Sequence, residues 1–105
     1  MNNETKLMSV RDAIIMAMSE EMRSDENVFL MGEDVGIFGG DFGTSVGMLE
    51  EFGAERIRDT PISENAISGC AIGAAMTGMR PIVDVTFMDF VVYMMDNIVN
   101  QAAKT

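Results

Sequence analysis

Apolar residues return every third or fourth position between residues 10 and 18, where Val10, Ala13, Ile14, Ala17 and Met18 mark one side of a helix. Ser9 precedes that stripe and Asp12 follows it by three residues, a near relative of the capping box. The period then gives way to an unbroken run, Val28-Phe29-Leu30-Met31, closed by Gly32. Such a run predicts a strand buried on both faces, as parallel strands are. A short helix is expected over 48–52, stopped by Gly53, and at most a brief strand over 56–59. Pro61 keeps Thr60 out of the α region, and Ser63 is placed to cap a helix from Glu64 to about Met76, ended by Gly78. Its small residues (Ala66, Gly69, Ala71, Gly73, Ala74, Ala75) predict a helix that packs closely and is buried. Ile82-Val83-Asp84-Val85-Thr86, rich in β-branched residues, predicts a second strand, and Asp89 is placed to cap a third helix from Phe90 to Lys104.

Helices alternating with strands imply an α/β fold, a parallel sheet flanked by helices. Two clear strands make an incomplete sheet, and the last helix has no stop signal. Residues 1–105 are therefore expected to be a piece of a larger domain.

Charge narrows the partners. A formal charge of −10 argues against nucleic acid or an anionic membrane, because phosphates would be repelled. The single cysteine, Cys70, cannot form an internal disulfide. The lack of histidine removes Ser-His and Cys-His catalytic pairs together with the commonest zinc ligand. Residues 1–6 lack the apolar core of a signal peptide. Residues 66–79 are broken by Ser68, Gly69, Gly73, Thr77 and Gly78, and fall short of the about 20 apolar residues that span a bilayer. A soluble, cytoplasmic chain is expected. The methionines are scattered and read as core filler, so no metal site is expected here.

Taken one at a time, the candidate residues say little. Glu64 in a first helical turn is stabilised by the helix dipole, by about 0.3–1 kcal/mol. Phe90 reads as core, Glu33 as a solvated carboxylate at a strand end, and Ser63 as a cap. Gly39-Gly40-Asp41-Phe42-Gly43 matches neither a Walker motif nor a dinucleotide fingerprint and reads as a connecting loop.

Three blocks in order carry more: Leu30-Met31-Gly32-Glu33-Asp34-Val35-Gly36, Asp59-Thr60-Pro61-Ile62-Ser63-Glu64 and Asp84-Val85-Thr86-Phe87-Met88-Asp89-Phe90. With residues 71–75 and 100–104, they make the chain resemble the N-terminal part of a beta subunit from a particular enzyme family. That family is the thiamine-diphosphate-dependent 2-oxo acid (pyruvate, branched-chain) and acetoin dehydrogenase components, whose beta subunit carries a transketolase-like pyrimidine-binding domain with the thiamine diphosphate-binding fold.

The resemblance implies a thiamine diphosphate cofactor between this subunit and an alpha subunit, which holds magnesium and the diphosphate. It implies a second beta subunit, and transfer of an acyl carbanion formed on the cofactor to a lipoyl-bearing acyltransferase. Glu64 is then the catalytic residue: it shares a proton with the aminopyrimidine 1′-nitrogen and favours the imino tautomer that deprotonates the thiazolium carbon. Glu33, Ile62, Ser63, Thr86, Phe90 and Tyr93 are implied cofactor neighbours, Phe90 packing on the ring. Phe87, Met88, Asp89 and Phe90 are the implied substrate loop.

Met88 and Tyr93 depart from residues frequent in the family, and the segment looks closer to acetoin or bacterial pyruvate members than to branched-chain ones. The glycine-rich loop lacks the Gly-Asp-Gly start by which the family holds magnesium. The family's proton-shuttling histidines are absent and would come from the rest of the subunit or from the alpha subunit. A second reading is a truncated, non-catalytic chain that only associates with partner subunits. A third, a flavodoxin-type nucleotide module, needs phosphate-binding glycines where Thr60-Pro61-Ile62-Ser63 stands.

Overall fold

A computed structural model describes residues 7–104; residues 1–6, read above for a signal peptide, and Thr105 lie outside them. The elements run α1 (Val10–Ser24), β1 (Val28–Gly32), α2 (Met48–Phe52), β2 (Ile57–Asp59), α3 (Glu64–Met76) and β3 (Arg80–Asp84). A helical tail follows, wound as 3-10 helix over Met88–Met94 and as π-helix over Asp96–Ala102. The three strands form one parallel sheet in the order β2-β1-β3, with Leu30 opposite both Ile57 and Ile82.

β1 is buried along its whole length, as its continuous apolar run requires. Because successive side chains of a strand point to opposite faces, it serves two cores. Val28 and Leu30 join Met22, Val35, Met48 and Ile57 under α1 and α2. Phe29 and Met31 join Ile67, Ala71 and Met94 under α3 and the helical tail.

α1 is a helix, and Ser9 caps it by accepting the Asp12 N–H at 3.1 Å. The face it buries is not the expected one. Ile15, Met18, Ser19 and Met22 turn inward, whereas Val10 is 78% exposed. Both stripes satisfy the helical period and share only Met18, so the period alone could not choose between them. The end of α1 is held by Arg56, whose guanidinium donates to the carbonyls of Met22, Asp25 and Val28 and lies over the Phe52 ring. One fork thereby satisfies the open carbonyls at the helix terminus and ties them to β1.

α3 spans the expected residues and stops as expected at Gly78. The Met79 N–H bonds the Ala74 carbonyl and the Gly78 N–H the Ala75 carbonyl, a Schellman ending. Ser63 does not cap it through its side chain, because its hydroxyl donates instead to the Pro61 carbonyl at 2.9 Å. Nor is α3 buried all round: Ile67, Ser68 and Ala71 face the sheet while Ala66, Gly73, Ala75 and Met76 are exposed.

β3 is shifted two residues earlier than expected. Pro81 lacks an N–H but sits on an edge strand, where one ladder donor is dispensable. Thr86 leaves the strand altogether with a φ of 72°. Asp89 is no cap, since the tail already begins at Met88 with Phe87 flanking it and no side-chain cap. The tail is helical over the expected stretch but is not a regular α-helix. Among the described residues, no helix is long and apolar enough to cross a membrane.

Arg56→Lys keeps the charge but loses the fork, leaving buried carbonyls short of donors. It is expected to cost about 1–3 kcal/mol in denaturant unfolding. An unchanged midpoint would mean that water replaces the guanidinium without loss.

Candidate active site

In open parallel sheets ligands bind beyond the carboxyl ends of the strands, and those ends gather the acidic and aromatic residues of this chain. Glu33 follows β1. Asp59 closes β2 and leads through Thr60-Pro61-Ile62-Ser63 into α3. Asp84 closes β3 and leads through Val85 and Thr86 into the aromatic tail.

Glu64, 31 positions further along the chain, lies near enough to Glu33 for its charge to be felt there. The Glu33 carboxyl is pushed above its ordinary 4.5, first by burial, then by the charge of Glu64, with smaller contributions from Asp41 and Asp34. The Ser63 backbone N–H donates to it and pulls the other way. Glu64 is half-buried in the first turn of α3. With Ser63, Asn65, Ala66, Tyr93 and Asp96 it lines an open hollow of about 640 Å³. Asn97 holds the tail against this end of α3 by donating to the Asn65 side chain at 2.7 Å and to Ser68 Oγ at 2.9 Å.

Phe87, Phe90 and Tyr93 form a row. Phe87 meets Phe90 edge-to-face at 5.4 Å between centroids, and Phe90 meets Tyr93 at 6.3 Å. Thr86, Phe87 and Met88 border a second, apolar hollow of about 360 Å³ with Ile14, Met18 and Ile82. The row thus connects two hollows, one acidic and one apolar. Ile62 and Asp89 are exposed and line neither.

The strain of the site is concentrated at Thr86. A β-branched residue in the left-handed region costs about 1–3 kcal/mol and needs its surroundings to hold it. Asp84 does so by accepting the Thr86 N–H at 2.8 Å on one carboxylate oxygen and the Thr44 hydroxyl at 3.2 Å on the other. Asp84, Thr44 and Phe42 had no assigned role in the sequence. The one signal was a carboxylate inside the otherwise apolar run Ile82-Val83-Asp84-Val85.

The glycine-rich loop is likewise more than a connector. Asp59 Oδ1 accepts the Gly36 N–H at 2.7 Å, and a Cβ at Gly36 would come within 2.4 Å of that carboxylate. Gly40 has a φ of 86°, and a Cβ there would meet Thr44 Oγ1 at 2.8 Å. Both glycines are needed for this loop to lie over the strand ends.

A family model for the transketolase pyrimidine-binding domain matches residues 6–105. The chain belongs to this family. It is 52% identical over 98 residues to the 2-oxoisovalerate dehydrogenase subunit beta of Bacillus subtilis, covering 93% of this chain and 30% of the relative. It is 49% identical over 102 residues to the pyruvate dehydrogenase E1 component subunit beta of Rhizobium meliloti, covering 97% and 22%. It is 45% identical over 103 residues to the mitochondrial pyruvate dehydrogenase E1 component subunit beta of Saccharomyces cerevisiae, covering 98% and 28%. The chain therefore spans less than a third of these relatives. Identities of 52% and 49% do not separate the branched-chain name from the pyruvate name, so the expected leaning away from branched-chain members gains no support.

In this pyrimidine-binding-domain chain the donor set suits one end of thiamine diphosphate only. Two adjoining carboxyl groups, one of which holds its proton more firmly than usual, beside a row of rings suit a flat, weakly basic aminopyrimidine. The same edge carries Asp34, Asp41, Asp59 and Asp84, a poor setting for a diphosphate.

Because its folded-state pKa is raised, Glu33 binds its proton more tightly in the folded chain than in the unfolded one. Its contribution to stability is therefore complete at low pH and declines as pH rises from about 4.5 through the folded value. Glu33→Gln is expected to match the wild type in thermal melts at acid pH and to exceed it as pH rises above about 4.5, levelling off beyond the folded value. A constant difference across that range would place Glu33 in water.

Proposed function

We propose that this chain is the N-terminal part, residues 1–105, of the pyrimidine-binding domain in the beta subunit of a thiamine-diphosphate-dependent 2-oxo acid dehydrogenase component. The observation that carries the reading is the placing of Glu64: first turn of α3, at the carboxyl edge of the sheet, opening on the hollow that Tyr93 borders. Family membership and the names of the relatives support the same reading. When bound, the cofactor would supply a thiazolium carbon that becomes a nucleophile on losing its proton.

Glu64 holds a proton at the 1′-nitrogen of the aminopyrimidine. Glu33, whose carboxyl is pushed up first by burial and then by the charge of Glu64, stands at the same strand edge as a further cofactor neighbour. Phe90 packs on the ring, with Tyr93, Thr86 and Ser63 around it, and Phe87 and Met88 approach the substrate; Ile62 and Asp89, exposed outside both hollows, have no such place in this chain alone. The diphosphate and magnesium fall to an alpha subunit, because this edge repels anions. A second beta subunit and a lipoyl acyltransferase complete the set of partners. The exposed apolar residues Val10, Met76, Val92 and Val99 are consistent with such covering neighbours. Pyruvate or acetoin is the proposed substrate, and the apolar lining that Phe87 and Met88 give the second hollow suits an aliphatic acyl group without separating these from a branched-chain acid. The one free, exposed thiol, Cys70, accords with a reducing, cytoplasmic setting.

The test is Glu64→Gln in the enzyme assembled with its alpha subunit. Proton exchange at the thiazolium carbon is expected to slow by about 10²–10⁴-fold with subunit association intact. Exchange at the wild-type rate would remove Glu64 from the chemistry and leave a chain that only associates.

A further inference from the structure

The glycine-rich loop reaches the aromatic row by two separate contacts. Phe42 meets Phe87 edge-to-face, with centroids 5.2 Å apart and planes at 85°. Thr44, two residues on, donates its hydroxyl to Asp84, the carboxylate that also holds the strained Thr86. The loop therefore grips the 84–87 turn at its start, through Asp84, and at its end, through Phe87. Phe87 passes that grip to Phe90 through a second edge-to-face contact.

This connection has a consequence for Phe90. Phe90 sits in the first turns of a 3-10 helix without a side-chain cap, on an edge of the molecule, and is only half-buried. Local backbone hydrogen bonding holds such a ring loosely. Edge-to-face partners restrict a ring more tightly than area burial alone, because the positive edge of one ring must meet the negative face of the next. Phe87 and Phe42 themselves are about half exposed, at 49% and 55%, so these rings owe little of their placing to burial in the core. Their mutual geometry sets where they stand.

We propose that Phe42 is a positioning residue: through Phe87 it fixes the angle at which Phe90 meets the cofactor ring, with Thr44 and Asp84 anchoring the turn between them. The inference rests on the assignment of Phe90 to the pyrimidine pocket. It gives the loop 36–47 a task in cofactor binding although the loop supplies no atom to the ring.

The experiment uses the assembled enzyme and measures thiamine diphosphate affinity by calorimetry, kcat and KM for the oxo acid, and the near-ultraviolet circular dichroism of the bound ring. Phe42→Leu keeps size and apolarity but removes the ring. It is expected to weaken cofactor binding by roughly 2- to 10-fold and to alter the dichroic band, leaving subunit assembly and the melting temperature of the cofactor-free enzyme unchanged. Phe42→Tyr is expected to restore both. Phe42→Leu combined with Phe87→Leu is expected to do no more than Phe87→Leu alone, since the two act in series. Thr44→Val, which cuts the second contact, is expected to shift affinity in the same direction.

Phe90→Leu separates the two ideas. If Phe90→Leu weakens cofactor binding while Phe42→Leu leaves affinity and dichroism untouched, the brace is overturned and the pocket stands. If neither variant changes cofactor binding, the assignment of Phe90 fails and the brace falls with it. Additive losses for Phe42 and Phe87 would also overturn the serial arrangement.

Discussion

The double burial of β1 is the constraint on which the site depends. A five-residue strand with both faces covered must sit at the centre of the sheet, and its two parallel neighbours then deliver their ends to the same edge. Leu30, 1% exposed and opposite both Ile57 and Ile82, sets the register that brings Gly32, Asp59 and Asp84 level. A slip by one residue would invert both cores and separate Glu33 from the start of α3. The nearness of the two glutamates is thus a property of apolar packing. Neither carboxyl group contributes to bringing them together, and at neutral pH each works against the other.

That opposition is balanced locally. The carbonyl of Pro61, the proline before α3, accepts the Ser63 hydroxyl, and the helix starts without a side-chain cap. The Ser63 backbone N–H is left to face Glu33. A serine that capped through its hydroxyl would strengthen the helix by accepting an N–H from its first turn. Thr86 shows the same trade on the other side of the sheet, where a strained backbone is held by Asp84 so that the chain can turn its aromatic residues toward the edge. Local stability is given up twice, both times beside the same edge.

Much of the fold was legible in the chain. The run Val28–Met31, the Ser9 cap and the Gly78 ending each depend on residues a few positions apart, and each was realised. What depended on distant partners was not legible. The buried face of α1 is chosen by the sheet beneath it, and the period of its apolar residues is silent on that choice. β3 was misplaced because its β-branched run extends to Thr86, which has a strand-forming side chain in a left-handed backbone, whereas the strand itself begins at Arg80. Glu64 and Glu33 stood out through a family resemblance, not through any pattern in their own surroundings. Phe42 stood out through nothing: two aromatics among glycines, Phe38 and Phe42, show no period, and the partner of Phe42 lies 45 residues further along the chain.

The distribution of charge gives the site its direction. Carboxylates gather at the carboxyl ends of the strands, where Arg56 and Arg23 do not reach: Arg56 is committed to carbonyls at the end of α1 and Arg23 to Glu51. An edge of this kind tolerates a neutral or weakly basic ring and disfavours a diphosphate, because like charges at close range in a partly dry cleft are costly. Under the proposed reading, cationic partners for the phosphates have to arrive on another polypeptide, and their approach is favoured by the net charge of −10 on this one. Under that reading the acidity that argues against a phosphorylated cofactor is the reason for dividing its site between two chains. One chain would bind the ring and hold a proton, and the other would neutralise the charge.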